Sequence, residues 1–121
     1  MYTIKKGEKY PIKIKLRNLD EDKPINLTNS IIKFQLKDEP RDDFFIIEKN
    51  ITETSDIYEI GRIISPEDGE VILHFTNEDY DKLVCERMYY ITIWHIIEDE
   101  NYAKVVSSNG NEHLTLMVCI P

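Results

Sequence analysis

Apolar and polar positions alternate with period two along most of this chain. Tyr10, Ile12, Ile14 and Leu16 hold one parity while Pro11, Lys13, Lys15 and Arg17 hold the other, which predicts a strand with one buried face and one basic face in water. Pro11 has no amide proton, so this strand is expected to begin there or to run along a sheet edge. Asp20-Glu21-Asp22-Lys23-Pro24 reads as a charged turn leading into a short extended segment with Ile25 and Leu27, and Thr28-Asn29-Ser30 turns again. Ile32, Phe34 and Leu36 then alternate with Lys33, Gln35 and Lys37 as a second amphipathic strand. Residues 38–43 form a polar loop holding Pro40, and Phe44-Phe45-Ile46-Ile47, apolar on both faces, predicts a short internal strand. A further strand is expected over Ile57 to Ile64, with Gly61 marking a bulge.

The richest stretch runs from Ser65 to Leu83. Pro66 and Gly69 bracket a turn, and Val71, Leu73 and Phe75 alternate as one buried strand face. Thr76 is placed to cap a short helix over residues 77–83, with Asp79 three residues on as its capping-box partner and Leu83 as an anchor. Met88 to Ile97 is the most apolar segment. Tyr89, Ile91, Ile93 and Ile97 share one parity with His95; Met88, Tyr90, Trp94 and Ile96 share the other with Thr92. A strand apolar on both faces is central, or has one face covered by something else. An acidic hairpin tip at 98–101 sends Tyr102 to Val106 back, residues 107–111 loop, and Leu114, Leu116, Val118 and Ile120 make a closing strand. Short strands, turn residues between them and one helical connector predict an all-β chain: an immunoglobulin-like antiparallel β-sandwich forming a single domain over 1–121.

Charge adds an asymmetry. The 121 residues carry a net −8, which argues against nucleic acid as the main partner. Residues 1–17 nevertheless hold Lys5, Lys6, Lys9, Lys13, Lys15 and Arg17 against Glu8 alone, a balance of +5 that leaves −13 for the rest. Lysines on a flanking strand discourage unwanted sheet pairing, and a basic strip also suits docking against an acidic surface such as a sister copy. No apolar run approaches a bilayer span, and Met1 to Lys6 has no apolar core behind its charges, so neither a membrane partner nor a secretion signal is expected.

Candidate chemistry is sparse. Cys85 and Cys119 lie in or beside apolar strand segments and read as small buried hydrophobes; a disulfide requires those strands to be neighbours. His74 and His95 fall mid-strand, where a hydrogen-bonded structural histidine is expected, and His113 stands beside Glu112 at a strand start. No histidine spacing supports a metal site, and the acidic clusters at 20–22, 42–43, 67–68 and 98–100 suit charged loop tips better than a calcium shell. There is no nucleophile elbow, no phosphate loop and no cysteine with a histidine nearby in sequence. The expectation is a chain with no catalytic residues, no metal and no cofactor.

Four stretches together carry a resemblance. They are Gly7-Glu8 ahead of the first strand, Lys23-Pro24-Ile25-Asn26-Leu27-Thr28-Asn29-Ser30 with the strand through Leu36, Gly69-Glu70-Val71 through Thr76 with Leu83, and Tyr89-Tyr90-Ile91-Thr92-Ile93 with the hairpin and terminal strand after it. In order and spacing the chain resembles the immunoglobulin-like β-sandwich proteins of tailed bacteriophages, the kind found at the start of baseplate upper proteins and in related small virion proteins. Lys23, Asn26 and Asn29 stand where that family often has Gly, Asp and Gly. The resemblance implies a non-enzymatic structural protein of a virion, in tail, baseplate or head, present in several copies and contacting other virion proteins. On that reading two groups are candidate interface residues: Lys13, Lys15 and Arg17 on the basic strand, and Tyr90, Trp94 and Ile96 on the two-faced strand. The competing expectation is a module that binds host carbohydrate through Tyr58, Tyr90, Trp94 and Tyr102, since aromatic rings stack on sugar faces; the same rings serve equally as core.

Overall fold

A computed structural model describes residues 2–5, 11–18, 23–39, 44–84, 87–97, 102–107 and 115–119. Its longest strand, β9 (Arg87–Ile97), lies inside the larger of two facing sheets, as its two apolar parities require. On one side β9 pairs with β5 (Ser30–Lys37) along its length, and β5 pairs in turn with β6 (Ile47–Ile51), the edge of the sheet. The other side of β9 is shared. Its first residues pair with β11 (Thr115–Cys119), its last with β10 (Tyr102–Ser107), and β1 (Tyr2–Lys5) adds to β11. The smaller sheet is antiparallel in the order β2 (Ile12–Lys15), β8 (Glu70–Leu73), β7 (Gly61–Ser65). A minimal ribbon joins β3 (Arg17–Asn18) to β4 (Lys23–Pro24).

Alternation decides which side chains meet. Ile32, Phe34 and Leu36 from β5, Ile47 and Ile51 from β6 and Tyr89, Ile91 and Ile93 from β9 face Ile14, Ile63, Val71 and Leu73 of the smaller sheet across one core. Leu27 is fully buried beside them, and its backbone amide donates to the Pro66 carbonyl at 2.8 Å. The expected all-β sandwich with one helical connector is the observed architecture. Its turn chemistry follows the sequence too: a 3-10 turn at Pro66–Asp68 ends on left-handed Gly69, where a Cβ would run into the Leu16 carbonyl oxygen.

Several details differ. The segment Phe44–Ile47 is no internal strand; pairing starts at Ile47 and forms an edge, leaving Phe44 82% and Phe45 46% exposed. The apolar run misled because the buried parity is set by Ile47, Lys49 and Ile51. The strand expected over Ile57–Ile64 begins only at Gly61, because Asp56 turns the chain by accepting from the amides of Tyr58 and Glu59. Gly61 is no bulge either. It needs positive φ and lies where a side chain would strike the Ile72 backbone, while the register shift falls between Ile63 and Ser65. His74 follows β8 rather than sitting within it. Strand β1 was not foreseen, and its parallel pairing with β11 breaks the expected all-antiparallel pattern. The polar loop through Pro40, the hairpin tip at 98–101, His113 and Cys85 lie outside the described residues, as does the Cys119 side chain.

Candidate functional site

Helix α1 (Asn77–Asp81) crosses between the two sheets, and its first turn is fixed by reciprocal bonds. The Asp79 amide donates to Thr76 Oγ1 at 3.2 Å and the Thr76 amide donates to Asp79 Oδ2 at 2.8 Å, the capping box read from the sequence. Leu83, buried beside Tyr80 and Phe75, anchors the far end. This places the Asp79 carboxylate over β6, where Lys49 points inward between Ile47 and Ile51.

Lys49 Nζ stands 2.5 Å from Asp79 Oδ2 and donates to the Glu59 carbonyl at 2.6 Å, with the Phe75 ring centre 5.9 Å away. The two side chains are only 7% and 12% exposed, which makes this a buried ion pair rather than a surface one. Beside it opens a cleft of about 470 Å³, lined by Lys49, Glu59, Ile60 and the turn from Thr76 to Asp79. His74 lies close by, edge-on to Tyr58 at 6.2 Å. Burial holds the His74 pKa below the ordinary histidine value, and the Lys49 charge adds to the effect. The sequence reading found Asp79 as a cap and missed its partner. The available signal was a lysine on the apolar parity of Ile47 and Ile51.

The candidate interface residues divide between two outer faces. Lys13, Lys15 and Arg17 are exposed on the smaller sheet and its β3 extension, with β2 at the sheet edge as its proline and lysines suggested. Lys15 reaches Glu70 at 4.0 Å, too long and too exposed to stabilise much. Tyr90, Trp94 and Ile96 are half-buried on the outer face of the larger sheet. There Trp94 Nε1 donates to Gln35 Oε1 at 3.2 Å and Gln35 Nε2 donates to Glu48 Oε2 at 3.0 Å, one chain of side-chain bonds across β9, β5 and β6. Thr92 is buried beneath this row. The aromatics considered for sugar stacking are divided: Tyr90 and Trp94 share the larger sheet and Tyr58 stands beside the smaller one, while the Tyr102 side chain lies outside the described residues.

His95 has the structural role expected of it, with Nε2 2.8 Å from Ser30 Oγ. Among the described residues no three or more His, Cys, Asp or Glu side chains are grouped to hold a metal ion, and no helix is long and apolar enough to cross a membrane. No protein-family model matches the chain, and no curated protein matches it.

Proposed function

We propose that this chain is a non-enzymatic structural component of a bacteriophage virion, in the tail, the baseplate or an adaptor on the head, acting through contacts with other virion proteins and with further copies of itself. The observation that carries the contact role is the outer face of the larger sheet. Its central indole, Trp94, donates to Gln35, which in turn donates to Glu48, and Tyr90, Ile96 and Ile31 add half-buried apolar surface on the same strands. Aromatic side chains held in one rotamer lose little entropy on contact, so such a face favours a protein partner. The immunoglobulin-like character and the phage setting rest on the sequence resemblance.

A carbohydrate module is the competing reading, favoured by Tyr90 and Trp94 sharing one face. Four residues of extended strand separate them by roughly 13 Å, more than one sugar ring spans. Sedimentation of the purified chain over a concentration series, beside a glycan array, decides between the two. Self-association or capture of a neighbouring virion protein that Trp94→Ala weakens is the expected result. Sugar binding by a chain that stays monomeric and binds no virion protein overturns it.

A further inference from the structure

We propose that Lys49 and Asp79 condense to an intramolecular amide, covalently joining edge strand β6 to the connector helix and releasing one water. The two groups that would react are already in contact, with Nζ 2.5 Å from Oδ2, and they are held there by independent elements: a strand of the larger sheet and a capped helical turn. Such fixed approach converts an ordinarily slow bimolecular condensation into a unimolecular one with a very high effective concentration.

Apolar side chains enclose the pair. Lys49 is flanked by Ile47 and Ile51, lies opposite Phe34 in the strand register and faces Phe75, so both charges stand largely out of water. One proton passing from the ammonium to the carboxylate leaves an amine and a carboxylic acid. The Nζ lone pair then adds to Asp79 Cγ, a second nitrogen proton moves to the departing hydroxyl, and water leaves. Of three ammonium hydrogens, one stays on the amide and two leave with a single carboxylate oxygen. Nothing is oxidised and no second reactant is consumed. The adjoining cleft, which Lys49 and Asp79 themselves line, gives the water an exit.

The product's hydrogen bonds are prepared in advance. An amide N–H at Nζ donates to the Glu59 carbonyl, already 2.6 Å away, and the amide oxygen accepts from the Thr76 amide, already at 2.8 Å from Oδ2. Condensation therefore replaces two buried charges with one neutral group whose donor and acceptor are both satisfied. It also closes residues 49–79 into a covalent loop containing β7 and β8, so that pulling on the chain ends cannot extend that part of the sandwich.

Intact mass of the folded full-length chain, measured after denaturation, tests this. The expected mass is one water below the sequence mass, with a proteolytic map giving a branched peptide that joins the Lys49 and Asp79 segments. Lys49→Arg keeps the charge but forms no amide and returns the sequence mass; Asp79→Asn condenses with loss of ammonia instead. Two outcomes overturn the proposal. One is a wild-type chain, folded by circular dichroism and incubated for days, that retains its full sequence mass. The other is a lost water that maps to Asp68-Gly69, where an ordinary succinimide forms, rather than to the branched peptide.

Discussion

Strands β2 and β6 are edge strands, one in each sheet, and both carry lysine, yet they use it in opposite directions. On β2, Lys13 and Lys15 project into solvent while Ile14 packs inward. On β6, Lys49 takes the inward place between Ile47 and Ile51. Both arrangements discourage another chain from adding to the sheet, since outward lysines repel it and an inward charge cannot be repeated by a passing strand. Their costs differ. The β2 lysines keep their hydration, whereas Lys49 is separated from water and depends on Asp79 and the Glu59 carbonyl. An outward lysine thus constrains only its neighbours in space. An inward one constrains a second element, because helix α1 must dock in one register for the charge to be compensated.

The two edges differ most at Lys49. Lys49→Ala strands the Asp79 carboxylate in the core and is expected to cost at least about 3–5 kcal/mol. Lys13→Ala on β2 is expected to stay within roughly half a kcal/mol, as surface changes do. Urea unfolding of the two variants side by side measures the difference, and equal midpoints would refute the division between the edges. Leu83→Ala acts one step removed, by loosening the anchor that holds Asp79 over β6. Loss of this buried side chain should cost about 2–5 kcal/mol, and a change below roughly half a kcal/mol would place Leu83 outside the core.

The same contrast shows what the sequence could disclose. For β2, β5 and β8 the alternation named the buried residues, because chemical type and burial agree there. The Thr76–Asp79 capping box was equally legible, being local to four residues. Strand β6 was misread through Phe44 and Phe45. Their hydrophobicity outweighs the parity of Ile47 and Ile51, which continues through Lys49. Its counter-charge lies thirty residues on, and no local pattern links the two. Strand β1 escaped for a related reason: a parallel partner at the far end of the chain leaves no hairpin signal in the sequence. The Trp94–Gln35–Glu48 chain of bonds likewise needs the strand register before its members are neighbours.

Reversing the β2 charges is a gentler test. Lys13, Lys15 and Arg17 replaced together by Glu should leave the isolated fold within about 1 kcal/mol, most of the loss coming from a carboxylate placed opposite Glu70. Assembly with partner or sister copies should slow in low salt, with the difference fading as salt is added. Light scattering during assembly follows this directly. If the triple variant assembles at the wild-type rate in low salt, the strip serves only as edge protection, and the contact lies on the Tyr90–Trp94–Ile96 face.

The smallest effect comes from His74, which feels the inward lysine. Its pKa is held below the ordinary histidine value, first by burial and then by the Lys49 charge. The unfolded chain, with a histidine near pH 6.5, therefore takes up the proton first as the solution is acidified. The stabilising contribution is complete above about pH 6.5, is lost as pH falls from there through the folded value, and then levels off. An NMR titration of the His74 ring should place its midpoint below 6.5, and in the uncondensed chain Lys49→Met should raise that midpoint part of the way while leaving the part due to burial. A midpoint at or above 6.5 would mean that neither burial nor the Lys49 charge acts on the ring. A depressed midpoint that Lys49→Met does not move has a different meaning. Lys49 then carries no charge in the folded chain, which is the state an amide with Asp79 leaves it in.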